Sequence, residues 1–266
     1  MDVVYGVDQL LPRNSPSADG ISEFKKEWPV GLLSAFQVMA VPKSPNATIF
    51  SRDYFKVNHE MCSEIYNSNE FGDGMVFSVA YANGMNVTYT MARTMLRMNE
   101  TAYSYLNHLT VSKDERAAIT MAFVGFDPLL DTRSGTNFIR KIADKYSKKT
   151  DYQFYVSGLI VSTTDIIGTA LYYFPYIILC TFVILYLVIS IVFKAVFLPV
   201  RMVLTLCVTI VTTYGIIAVI FCTKILYWAF PSIKEQPGFG WAVFILSFSM
   251  LVGLGLDYDI FCKNFK

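Results

Sequence analysis

Two carboxylates flanking a tyrosine, Asp257-Tyr258-Asp259, stand at the end of a long uncharged apolar run. A carboxylate at membrane depth is costly and marks a route for ions or protons. Asp257 precedes Lys263 by six positions, roughly 9 Å along a helix. One reading is therefore an interfacial acid bridged to Lys263 or Lys194; the other is a carboxyl that takes a proton from one side and releases it to the other. Asp259 lies roughly 200° round the helix from Asp257, so only one of the two can meet a bundle interior. Tyr258 is either a belt aromatic at the membrane surface or a hydroxyl that bonds a carboxylate on a neighbouring helix. Gly253, one turn before Asp257, and Gly255 are expected to let another helix come close.

Those residues need a membrane domain to hold them. Of the 266 residues 54% are hydrophobic and only 16% charged, and 34 of the 43 charged residues fall in residues 1–168. Uncharged runs at Ala170–Phe193, Met202–Thr223 and Phe239–Leu256 are 24, 22 and 18 residues long. Spanning takes about 20, so helices are expected near 170–193, 202–223 and, past the acids, 239–262. Pro175 inside the first is tolerable in a bundle. Lys194 and Arg201 flank the first connection, and Lys263 and Lys266 follow the third span. The positive-inside rule puts that connection and the C-terminus in the cytoplasm and residues 1–168 outside. Three sequons, at Asn46, Asn86 and Asn99, fall in that outer part, where glycosylation is expected. No leading targeting segment precedes this domain, so the chain is expected to be incomplete.

The aqueous part reads as α+β. Residues 10–20 have turn chemistry. Strands are expected at Leu32–Val41, Met75–Tyr81, Ala117–Phe126 and Tyr152–Val161, the last broken by Gly158. Helices are expected at Ser51–Asn67, Thr88–Leu109 and Ser134–Ser147. Without the extra helix the order is βαββαβ, the split pattern of a ferredoxin-like module. No group here reaches enzyme grade. His59-Glu60 lacks a second histidine one turn on, and Cys62, alone in the aqueous half, has no cysteine to pair with there. Net charge is +1 with no basic, aromatic-interleaved cluster, which argues against a nucleic-acid partner. No cofactor or metal is expected.

Gly253-Leu-Gly-Leu-Asp-Tyr-Asp-Ile-Phe261 closely resembles the fourth-helix signature of the resistance–nodulation–division (RND) superfamily, in its MMPL (mycobacterial membrane protein large) branch. Asp8-Gln-Leu-Leu-Pro12, Ser157-Gly158 with Asp165, and Phe193-Lys-Ala-Val-Phe-Leu-Pro199 resemble other stretches of that family, in the same order. The resemblance implies an extracytoplasmic porter domain followed by three transmembrane helices of one repeat, in a multi-pass protein of the plasma membrane. It implies proton-driven export of lipids or other amphiphiles, with membrane lipids, the substrate and the other repeat half as partners and oligomerisation as an option. Asp257 would carry the proton, and Tyr258 would support the partner carboxylate. Two alternatives stay open: a sterol-sensing relative of the Patched or Niemann–Pick type, against which Tyr258 argues, and a non-transporting interaction protein.

Overall fold

A computed structural model of the chain describes residues 3–4, 15–45, 47–68, 72, 74–98, 101–125, 132–194, 196–223 and 239–264. Two compact units emerge: one holds residues 6–165, the other residues 1–5 with 166–266.

In the first unit, helix α1 (Pro16–Glu27) begins where turn chemistry is expected. Ser15 accepts a hydrogen bond from the Ala18 amide at 3.2 Å and Pro16 opens the first turn, so this serine–proline pair starts a helix. Residues 10–14 lie outside the described residues. A 3₁₀ turn, Val30–Leu33, comes next, and strand β2 runs Phe36–Pro42. Leu32 and Leu33 thus leave the expected strand. Gly31 is needed in that turn, because a Cβ would run into the Val124 carbonyl. Helix α2 (Arg52–Tyr66) is capped by Ser51, whose hydroxyl accepts from the Tyr54 amide.

The expected strand 75–81 divides into β3 (Met75–Ser78) and β4 (Tyr81–Ala82), and β5 (Met85–Asn86) returns along β4. Asn83 and Gly84 form the two-residue loop between them with φ of 42° and 92°, the positive values that Asn-Gly hairpin turns require. The single helix expected over 88–109 is two, α3 (Tyr89–Arg97) and α4 (Thr101–Thr110). Strand β6 (Ala118–Phe123), helix α5 (Thr132–Lys149) and strand β7 (Tyr152–Ser157) complete the unit. Gly158, at φ +122°, ends β7.

All pairings in the six-stranded sheet are antiparallel, in the order β5-β4-β3-β6-β2-β7. Alternate residues face the core: Phe36, Val38 and Ala40 of β2, and Ala118, Thr120 and Ala122 of β6. Tyr54, Met61 and Ile65 of α2 and Ile139 and Ala143 of α5 belong to the same core. This period-two against period-3.6 matching fixes register, since a one-residue slip would turn the buried set to solvent.

In the core sits a closed polar group. Asn58 donates to the Tyr54 hydroxyl (3.1 Å) and the Thr120 hydroxyl (3.0 Å), and its carbonyl accepts from Ser78 at 2.6 Å and Cys62 at 3.4 Å. Every member is buried, and because each polar atom has a partner the group does not carry the cost of an orphaned donor.

The second unit contains α6 (Leu159–Phe193), which continues from the first unit, α7 (Phe197–Thr223) and α8 (Trp241–Asn264). Helix α6 starts well before residue 170 and α7 before 202, so both exceed their uncharged cores. Strand β1 (Val3–Val4) pairs in parallel with β8 (Phe239–Gly240). Residues 159–192 and 199–220 are long and apolar enough to cross a membrane, with only 6% and 11% of their most apolar windows buried. A soluble core helix would be mostly buried, so these helices offer their sides to lipid or to further protein.

Candidate functional site

Helix α8 carries the acidic pair in its last turns and packs against α7 and α6 before them. Phe248 and Val252 of α8 are buried with Ile210 of α7, and Phe174, Ile178, Phe182 and Leu185 of α6 pack around them. The Phe248 ring meets Phe174 and Phe182 edge-on at 5.6 and 6.4 Å. Farther along α7, the Tyr214 hydroxyl donates to the Phe244 carbonyl at 2.8 Å and lies 3.1 Å from the Ser247 hydroxyl. At the opposite end of the contact a Cβ at Gly255 would overlap Leu206 Cδ2, whereas nothing lies within 4 Å of one at Gly253. The two helices are therefore antiparallel, joined at Tyr214–Phe244 and Leu206–Gly255.

This contact divides α8 into two stripes. Residues 244, 248, 252 and 255 follow helical spacing along the packed side, and position 259 continues it. Val243, Leu246, Met250 and Leu254 are about half exposed or more, at 47%, 64%, 66% and 55%. With Gly253 they form an uncovered side, and position 257 continues that one. The chain is helical through Asn264. Tyr214 and Ser247 escaped sequence reasoning; a hydroxyl pair inside two uncharged runs was the available signal.

In the first unit Asn86 is exposed on β5, and its sequon partner Thr88 caps α3 by accepting from the Met91 amide at 3.3 Å. Asn46 and Asn99 lie outside the described residues. Cys62 is fully buried, and burial pushes its thiol up to about 12 despite hydrogen bonds with Ser78 and Thr120. It is no nucleophile. His59 hydrogen-bonds Ser63 through Nε2 at 3.3 Å and packs on Tyr81. A feature missed in sequence is the bidentate pair between Arg140 and Asp165, at 2.8 and 2.6 Å, which ties α5 to the first turns of α6. An acid six residues into an otherwise uncharged helix was the clue.

An α+β unit with a six-stranded antiparallel sheet, and a second unit with two helices long and apolar enough to cross a membrane, point to a membrane protein. The family model described as "MMPL family" matches residues 72–263. That match covers most of the chain, from β3 to the end of α8, and the chain belongs to the MMPL family, a membrane transporter of the RND/MMPL type. A search of curated proteins found no match.

Proposed function

We propose that this chain supplies one repeat of a proton-driven exporter of lipids or other amphiphiles, with Asp257 as the group that carries the proton. The observation that supports it most is the division of α8 into stripes. Position 259 continues the stripe packed by Phe248, Val252 and Gly255, while position 257 continues the uncovered stripe of Leu246, Met250 and Gly253. A carboxylate on a stripe that met only acyl chains would be strongly unfavourable. The second repeat, bringing its own acid, packs there, and Gly253 permits a close approach. Tyr258, beside Asp257, supports the partner carboxylate by a hydrogen bond.

The sheet order is consistent with a porter role. Taken as four main strands, β7-β2-β6-β3 is the 4-1-3-2 arrangement of βαββαβ, which we read as the ferredoxin-like porter module. The basic residues Lys194, Arg201, Lys263 and Lys266 favour a cytoplasmic C-terminus and an outer α+β domain, and Asn86 is open to glycosylation there. The plasma membrane is the site that fits this arrangement.

The test is export of radiolabelled lipid by cells carrying the full-length gene, with and without an uncoupler. Asp257→Asn is expected to abolish gradient-dependent export at unchanged surface expression. Unchanged export would remove Asp257 from the mechanism, and export indifferent to the uncoupler would favour a receptor or interaction protein.

A further inference from the structure

The charges of α2 are segregated. Glu64 pairs with Lys145 of α5 at 2.6 Å and Glu60 lies 4.0 Å from Lys149. Asp53 lines a separate cleft beside Lys149 and Tyr152. The basic residues Arg52, Lys56 and His59, spaced four and three apart, share another side of the helix. Among the described residues neither Arg52 nor Lys56 has an acidic partner.

That basic side borders a pocket of about 410 Å³ between α2 and the β5–α3 connection, with the sequon residue Asn86 on its lining, so the site is that of the chain unglycosylated at Asn86. Its floor is apolar: Phe55 and Val87 are buried, and the Tyr89 ring stands edge-on to Phe55 at 5.8 Å. Among the described residues no acidic side chain lines it. The guanidinium of Arg93 stacks over the Tyr89 and Phe50 rings at 5.5 and 5.2 Å, adding a cation behind the aromatic wall. Thr88, Tyr89 and Thr90 on the lining also open helix α3, whose positive dipole end faces the same space. The Asn83-Gly84 hairpin and the Val87 amide, bonded to the Ala80 carbonyl at 3.0 Å, hold this wall in place.

We infer that this pocket binds an amphiphile bearing a single anionic head, a carboxylate or a phosphate, with the head between Arg52 and Lys56 and the apolar part on Phe55, Val87 and Tyr89. Its volume is in the range of small-molecule sites, which combine an apolar lining with a few convergent polar groups. The two cations are solvent-exposed, so the head contributes selectivity more than affinity. A cationic head of the same chain length meets repulsion from both side chains and from the start of α3. The inference rests on this pocket and not on the proton-relay reading.

The experiment uses the full chain, produced without glycosylation, in nanodiscs of neutral phosphatidylcholine with no gradient. Two photoreactive probes are compared, a diazirine-bearing dodecanoate and the corresponding dodecylamine, and labelled peptides are mapped by mass spectrometry. Dodecanoate is expected to label the segments around Phe55 and Val87–Tyr89, and the amine to leave them unlabelled. The double variant Arg52→Ala/Lys56→Ala should lower that labelling about tenfold, equivalent to about 1.4 kcal/mol. The exchange Arg52→Lys/Lys56→Arg should retain it, and matched melting curves establish that both variants fold. Equal labelling by the two probes, or labelling unchanged in the double alanine variant, would overturn the proposal. Either failure leaves the relay reading where it stands, because no transport is measured.

Discussion

Leu206 of α7 fills the space that a side chain at position 255 of α8 would need. Gly255 is thus the residue that lets the two helices meet at that end, as Tyr214 and Phe244 join them at the other. Gly255→Val must push Leu206 or the helix aside, and such overpacking costs about 1–3 kcal/mol. For this chain on its own in detergent, Gly255→Val should melt at lower temperature, whereas Gly253→Val, with nothing of this chain within 4 Å, should not. An equal loss from both would mean that the α7–α8 contact is not seated on Gly255.

Asn58 is the hub of the buried polar group. Asn58→Ala leaves the Thr120, Ser78 and Tyr54 hydroxyls without their bonds to it, and stranded buried polar groups cost about 1–3 kcal/mol each. Partial rearrangement should hold the net loss to on the order of 3 kcal/mol. Urea unfolding followed by the signal of the α+β unit measures it.

The thiol of Cys62 is raised by burial from 9.0 to about 12. Between those values the unfolded chain has lost a proton that the folded chain keeps, so stability is fully present below about pH 9 and declines as pH rises. Burial raises Tyr54 as well, with the same sign. Cys62→Ala should flatten the alkaline decline measured by urea midpoints, and a thiol reagent should reach Cys62 only after unfolding.

Glu64 is held below the ordinary carboxylate value, first by the hydrogen bond from Lys145 and further by that from Tyr146. Its contribution is present above the unfolded carboxylate value and is lost as pH falls through the lowered one. The pair is partly exposed and solvent screens it, so the effect is small. The difference in melting temperature between wild type and Lys145→Met should narrow as the medium is acidified.

Asn86 stands exposed at the edge of the sheet, with Thr88 ordered by its cap. In a host that glycosylates, Asn86→Gln should remove one glycosidase-sensitive mobility shift, and an epitope after Lys266 should resist protease added to intact cells. Cleavage of that epitope would reverse the orientation.

Much of the α+β unit was readable because its elements carry strong periodic patterns. The alternation in Phe36–Pro42 and the spacing of Phe138, Ile139 and Ile142 leave little choice of element. Boundaries failed where local bonding overrides pattern. Ser15-Pro16 starts a helix instead of a turn, and Asn83-Gly84 folds the end of an expected strand into a hairpin. The pairing of helices was not legible, because Leu206, Tyr214 and Gly255 meet only through tertiary contact. Spacing alone separates positions 257 and 259 by roughly 200° around a helix. Which face is packed became visible only through Phe248 and Val252.

The most direct test of the central claim asks which acid exchanges protons from within the membrane. Dicyclohexylcarbodiimide, an apolar reagent that captures protonated carboxyls, is applied to membranes containing the full-length protein over a series of pH values, and modified peptides are sequenced. The account predicts modification at Asp257 that falls as pH rises and that disappears in Asp257→Asn, with Asp259 unmodified. Modification confined to Asp259, or none at Asp257 at any pH, would contradict it.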